Sequence, residues 1–277
     1  MPLIDVAGAA FSYGRETIFH GIDFSVNRGE IFCLLGPNGC GKTTLLDCIL
    51  GTQKLKAGSI LLEGKDTAGF RPGQVAHHVA YVPQKHERTF PYSVYEIVKM
   101  GRTAHIGLFG SPSQADDDIA RHALESFGIA HLGNRPYTQL SGGEGQLVMI
   151  ARALAQMTPV IIMDEPTAHL DFRHELVIME TIIHLVRDKG ISVIMATHFP
   201  NHAFYFQNNG AATTVALLHE GSFLAAGIPA DVICEEKMQK LYRVHTTLVS
   251  YDTHGRRGLK QIIPVSTVNN NGNKHEV

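Results

Sequence analysis

The chain has 277 residues and a mass of 30.3 kDa, with 44% hydrophobic and 18% charged residues. That describes a globular chain with room for a substantial core and for a main domain plus a subdomain. A net charge of -2 excludes the globally basic surface of a nucleic-acid binder, and no apolar run approaches the ~18 residues of a membrane span. Met1–Asp5 lacks a basic region followed by a long apolar one, so no secretory signal is read and a cytoplasmic location is expected. The four cysteines, Cys33, Cys40, Cys48 and Cys234, form no C-x-x-C pair, which argues for reduced thiols rather than a disulfide framework or zinc ribbon. The sixteen histidines are scattered; His77-His78 has neither helical ligand spacing nor a third ligand nearby.

In chain order, residues 3–35 read as β-structure: Ile4–Ala9 alternates, Phe11-Ser12-Tyr13-Gly14 is an aromatic pair running into a turn, and Ile22–Val26 alternates again. Tyr13 reads equally as a packed strand tyrosine or as a ring that stacks on a nucleotide base. Ile31–Leu35 is a short, fully apolar run, the pattern of a buried strand. Gly36-Pro37-Asn38-Gly39-Cys40-Gly41-Lys42-Thr43-Thr44 follows and fits the phosphate-loop pattern G-x-x-x-x-G-K-[ST]. The glycines let several backbone N–H groups point into one concavity, and the next helix adds the positive end of its dipole. Lys42 then reaches the terminal phosphates and the Thr43 hydroxyl is a Mg²⁺ ligand. Thr44–Leu50 has helical spacing and Gly51 is a plausible end signal.

Ala57–Gly64 reads as a β-hairpin arm, and Val79–Val82 as a strand stopped by Pro83, which leaves Gln84 at a strand end where its amide can reach Mg²⁺ or water near a phosphate. From about residue 90 to 140 the texture turns helical and suggests an insert. Ser93–Glu96 is a capping box, Ser111-Pro112 offers an N-cap with proline at the first helical position, and Asp116-Asp117-Asp118 reads as a solvated, dipole-complementing face. Ser141-Gly142-Gly143-Glu144 opens another helix and forms a second anion-binding N-terminus; two such sites in one chain meet only if molecules pair. Val160–Met163 is an apolar strand ending in Asp164 and Glu165. A buried parallel strand delivers its last residues to the sheet's carboxyl edge, where Asp164 can hold Mg²⁺ and Glu165 can polarise an attacking water. Ile191–Thr197 is a similar strand, and its terminal His198 is placed to contact a γ-phosphate. Beyond it lie a closing hairpin, a helix and a polar tail over 266–277, expected to be disordered.

Taken together, these residues resemble the ATP-binding subunit of an ABC transporter over roughly residues 3–265. Gly36–Thr44 matches the Walker A motif, Gln84 the Q-loop, Leu140–Glu144 the signature, Val160–Glu165 the Walker B, Ala168-His169-Leu170-Asp171 the D-loop and His198 the H-loop; Tyr13 falls where the family's base-stacking aromatic sits. The resemblance implies an α/β fold: a phosphate-loop NTPase (RecA-like) core with an N-terminal antiparallel β subdomain and an inserted helical subdomain. It implies a head-to-tail homodimer that sandwiches two MgATP, each on one subunit's phosphate loop and under Ser141, Gly142 and Gly143 of the other. Glu165 would be general base and His198 the γ-phosphate contact. Asp171 would couple the two sites, and Gln84 with the helical insert would engage a membrane permease, a solute-binding protein acting indirectly. Two departures stand out: Gly145 where the family often carries a basic residue, and His169 in place of the commoner alanine. Val94–Arg102, His105–Phe109 and Thr167–Asp171 look like importers of the iron–siderophore, haem or cobalamin type, with molybdate, tungstate or free metal ions as the alternative. DNA-acting relatives would place a long coiled coil between Gln84 and Ser141; here 56 residues without heptads separate them.

Overall fold

The structure, a computed structural model, describes residues 1–86, 89–106, 110–253 and 255–268. It begins with two long antiparallel strands, β1 (Ile4–Tyr13) and β2 (Glu16–Val26), and then β3 (Ile31–Leu35). Helix α1 (Lys42–Ile49) leaves the glycine loop, and Gly51 adopts φ 73° just past its end, the left-handed turn that closes a helix. Strands β4 (Ala57–Leu62) and β5 (Lys65–Asp66) flank a turn at Glu63-Gly64, and helix α2 (Pro72–Val75) leads to β6 (Val79–Val82). Three helices follow, α3 (Val94–Lys99), α4 (Gln114–Ser126) and α5 (Gly142–Ala155), packed against one another. The core resumes with β7 (Val160–Asp164), α6 (Phe172–Arg187), β8 (Ser192–Thr197), α7 (Pro200–Asn208), β9 (Thr213–His219) and β10 (Ser222–Gly227). Helices α8 (Pro229–Val232) and α9 (Glu235–Tyr242) lead to a last hairpin, β11 (Val244–Thr253) and β12 (Arg256–Thr267).

The central sheet runs β10-β9-β3-β8-β7-β6, parallel except for β10. Every residue of β3, β7 and β8 is buried, because the sheet is covered on both faces; a continuous apolar run therefore makes a strand here where alternation would not. Ile31, Cys33 and Leu35 point into a core shared with α5, α6 and the inserted helices, while Phe32 and Leu34 point into a second core beneath the antiparallel sheet β2-β1-β4-β5. Burying one such side chain stabilises by about 1.5–3 kcal/mol, so a charge at Ile162 or Ile194 would break the layer. Register sets Leu35 beside Thr197 and Asp164 beside Ala196, which brings the ends of β3, β7 and β8 to one edge.

Three expectations are corrected. The cap of α4 is Ser113, whose hydroxyl accepts from the Asp116 amide, so Pro112 lies outside the helix. Asp116 is not part of a solvated face: Arg102 Nε donates to its Oδ1 at 2.8 Å and the Ser113 amide to its Oδ2 at 2.9 Å, while the Arg102 guanidinium also reaches the carbonyl of Ala155. This ties the start of α4 to the end of α5, and the Arg102 bond holds the Asp116 carboxyl well below the usual range. Asp117 is likewise engaged, by Tyr95 and by Lys99 at 3.3 Å. Finally, the expected tail begins too early, because Ser266 and Thr267 belong to β12; Asn269–Val277, like Gly107–Phe109, falls outside the described residues.

The hairpin β11–β12 is held to the core by α7. Asn201 donates to the Ile262 carbonyl at 3.0 Å and accepts from its amide at 2.9 Å; Asn208 does the same with Lys260 at 3.0 and 3.3 Å. Two side-chain amides on a helix thus pair with a strand's main chain.

Candidate nucleotide site

The phosphate loop rises from β3 with two positions that exclude a side chain. At Gly36 a Cβ would lie 2.6 Å from Cys40 Sγ and 2.7 Å from the Leu218 carbonyl; Gly41 has φ 102° and its Cβ would meet Ile18 at 2.8 Å. Lys42 begins α1 and is 5% exposed; its Nζ donates to the carbonyls of Gly36 at 2.8 Å and Pro37 at 3.1 Å, so the ammonium is bridled over the loop. Asn38 and Gly39 form the loop's outer turn, and Thr44 continues α1. Burial raises the Cys40 thiol, so it is a protonated filler.

The sheet edge supplies the remaining groups. Thr43 Oγ1 donates to Asp164 Oδ2 at 2.7 Å, a bond that spans 121 residues of sequence. Burial raises the Asp164 carboxyl and the Thr43 bond works against it. Two oxygens, one hydroxyl and one carboxylate, thus converge, which is the donor chemistry of a hard divalent cation, and the pair fits Mg²⁺. Glu165 sits at φ 46°, left-handed for a non-glycine residue, its amide bonded to the Ala196 carbonyl at 2.9 Å. Such conformations cost about 1–3 kcal/mol and persist where the surroundings over-determine them. This turn aims the 9%-exposed carboxylate inward: Lys42 Nζ is 3.6 Å from Oε1, Gln84 Nε2 donates to Oε2 at 3.1 Å, and His198 Nδ1 lies 3.2 Å from Oε2 without hydrogen-bond alignment.

Tyr13 ends β1 half-exposed, its ring edge-on to Phe11 with centroids 4.8 Å apart, which supports the ring and leaves it accessible. The next strand carries Ile18, which touches Gly41, so this end of the antiparallel sheet adjoins the loop. Ser141 caps α5: its hydroxyl accepts from the Glu144 amide at 3.2 Å and its own amide donates to Glu144 Oε2 at 2.8 Å. Gly142 and Gly143 form the first turn; a Cβ on Gly143 would lie 2.1 Å from the His174 ring. That ring bonds Asp171, the N-cap of α6, at 2.7 Å, so the D-loop residue and the signature turn are in one contact set. His169 has φ 64°, a conformation that histidine adopts more readily than alanine, which accounts for that departure. Gly145 is buried inside α5, and its carbonyl accepts from the Tyr137 hydroxyl at 3.4 Å.

The structure therefore gathers Lys42, Thr43, Gln84, Asp164, Glu165 and His198 at one edge, and groups Ser141–Glu144 with Asp171 in a second cluster. Sequence reading missed three participants. His174 and the Thr197–His202–Glu175 bonds need tertiary contacts to be seen. Tyr242, 200 residues past the loop, lines the recess of about 390 Å³ beside Pro37–Cys40 and also a cavity of about 650 Å³ next to His198.

A glycine loop on a helix, a buried lysine and paired strand-end carboxylates define a phosphate-loop nucleotide hydrolase. The ABC transporter family model matches residues 19–168, and the chain belongs to that family as an ATP-binding subunit and ATPase. It is 34% identical to a molybdate import ATP-binding protein of Haemophilus influenzae, over 87% of this chain and 88% of the relative. It is 33% identical to an iron(3+)-hydroxamate import ATP-binding protein of Bacillus subtilis, over 86% and 87%. Among solved structures, a metal-chelate type ABC transporter in an inward-facing conformation superposes with a TM-score of 0.83 at 30% identity, covering 95% of this chain and 97% of that one.

Proposed function

We propose that this chain hydrolyses MgATP as a head-to-tail homodimer and powers uptake of a chelated metal or cofactor, of the iron–siderophore, haem or cobalamin class, through a separate membrane permease on the cytoplasmic face. The observation that carries the catalytic reading is Glu165, strained, buried and facing Lys42, Gln84 and His198 at once. Lys42 and the loop amides bind and neutralise the phosphates, and Tyr13 stacks on the base. Thr43, Asp164 and Gln84 would hold Mg²⁺, which supplies further charge neutralisation. Glu165 takes the proton of the attacking water, and His198 holds the γ-phosphate in line. Phosphoryl transfer asks for little beyond this positioning and charge.

Ser141, Gly142, Gly143 and Glu144 complete the partner's site in this reading, with Asp171 between the two. Complementation tests it. Lys42→Ala and Ser141→Arg are each inactive alone, but a mixed dimer holds one intact site. Equal mixing returns about a quarter of the wild-type rate for independent sites in a two-fold dimer; no recovery, despite mixed dimers seen by size, overturns the sandwich.

The cargo reading rests on the hydroxamate relative and the metal-chelate structure. The molybdate relative, just as similar, favours an oxyanion as the second reading. Uptake of radiolabelled iron chelate against radiolabelled molybdate, in cells with and without this chain, separates them.

A further inference from the structure

His198 lies in a short crossing between β8 and α7, a place where nothing in the strand itself fixes where a side chain points. The bonds around it do. Thr197, the last residue of β8, is 2% exposed, and His202, in the first turn of α7, is 4% exposed. His202 Nδ1 lies 2.9 Å from Thr197 Oγ1, its Nε2 lies 2.7 Å from Glu175 Oε1, and the Phe199 amide donates to Thr197 Oγ1 at 3.1 Å. The Phe199 ring packs against both histidines, with centroids 4.0 Å from His198 and 5.3 Å from His202.

These bonds form one connected set. The His202 bond keeps the Glu175 carboxyl below its usual range, so Glu175 is an acceptor. His202 Nε2–H donates to it, Nδ1 of the same ring shares a hydrogen bond with the Thr197 hydroxyl, and the Thr197 oxygen accepts the Phe199 amide. An unbroken run of hydrogen bonds links Phe199 through Thr197 and His202 to Glu175. It grips the residues on both sides of His198. Glu175 stands one turn into α6, its amide bonded to the Asp171 carbonyl at 2.9 Å, so the far anchor is the helix that starts at the D-loop residue.

We propose that Thr197, His202 and Glu175 are positioning residues for ATP hydrolysis: a buried hydrogen-bonded relay that fixes the backbone of His198, and with it the distance between its ring and Glu165. The proposal rests on the reading of His198 as the phosphate contact. A misplacement of about 1 Å in a reacting site costs on the order of a hundredfold in rate, so the relay acts on turnover rather than on nucleotide affinity.

The test is steady-state hydrolysis by the full chain, with its permease where basal turnover is low, alongside MgATP affinity and thermal melting. Thr197→Val keeps the shape and removes both hydroxyl bonds; kcat falls at least about tenfold while KM and nucleotide Kd stay within about twofold. Thr197→Ser keeps the hydroxyl and retains most of the rate, and His202→Ala behaves like Thr197→Val. His198→Ala is the reference: combined with Thr197→Val it loses little more than alone, since both act through one group. Unchanged kcat in Thr197→Val, with His198→Ala impaired, overturns the relay and leaves the His198 reading standing. A wild-type rate in His198→Ala overturns that reading and the relay with it. Should Thr197→Val fail to fold, Glu175→Ala on the partly exposed face of α6 decides: the same loss of kcat at constant KM is expected, and an unaltered kcat overturns the proposal.

Discussion

Replacing Glu165 with glutamine separates what that residue does for the fold from what it does for the reaction. Glutamine has the same shape and its oxygen still accepts the Gln84 amide. What disappears is the charge facing Lys42 at 3.6 Å. A buried cation stripped of its partner costs about 3–5 kcal/mol, but Lys42 keeps its bonds to the Gly36 and Pro37 carbonyls at 2.8 and 3.1 Å. The expected loss is therefore nearer that of one hydrogen bond, about 1 kcal/mol. The rate suffers more: removing a general base costs about 10²–10⁴-fold, which is about 3–5 kcal/mol on the barrier. Phosphate release by wild-type and Glu165→Gln chains, with melting curves and molecular size in MgATP, measures both. The variant should bind MgATP, hydrolyse at under one per cent of the wild-type rate on that scale, and accumulate as the ATP-held dimer. Hydrolysis at the wild-type rate would refute the base assignment, and a fall in nucleotide affinity as large as the fall in rate would refute the division between binding and chemistry.

Gly143→Ala drives a methyl into the His174 ring, 2.1 Å from its Cδ2, and should cost about 1–3 kcal/mol; adding His174→Ala should restore the lost stability in denaturant titrations, and failure to do so would show the clash is absorbed elsewhere. Because Asp116 titrates below its ordinary value, its contribution is present above about pH 4 and disappears as pH falls through the lowered value. The stability gap between wild type and Asp116→Asn should therefore persist at neutral and mildly acid pH and shrink only well below pH 4, as read by urea unfolding across pH. Burial raises the Cys40 thiol, so maleimide labelling there should be slow at neutral pH and accelerate as pH rises, and MgATP should protect it; labelling unaffected by MgATP would place the nucleotide elsewhere.

The core of the site was legible because its pieces are local. The glycine loop, the strand-end carboxylates and the serine cap each carry their geometry within a few residues, and the buried strands β3, β7 and β8 announce themselves as unbroken apolar runs. What stayed hidden depends on distance in sequence. Asp116 looks like a helix-dipole charge until Arg102 is seen beside it, and Glu175 and His202 are unremarkable until α6 and α7 pack. The hairpin β11–β12 escaped because Ile262 is the only buried residue among its described ones, so its strands lack the apolar face that marks one. Ser266 and Thr267 read as tail for the same reason.

Asn201 and Asn208 give that hairpin more than attachment. A two-stranded ribbon has two open edges, each a row of amides and carbonyls ready to recruit another chain. On β12 one edge is taken by β11, and the two asparagines occupy the other at Lys260 and Ile262. The helix thereby acts as a blunt substitute for a neighbouring strand, closing the β12 edge of the ribbon against growth. Losing both amides would leave the ribbon's pairing in place but uncap its β12 edge, turning that strand into a template for aggregation.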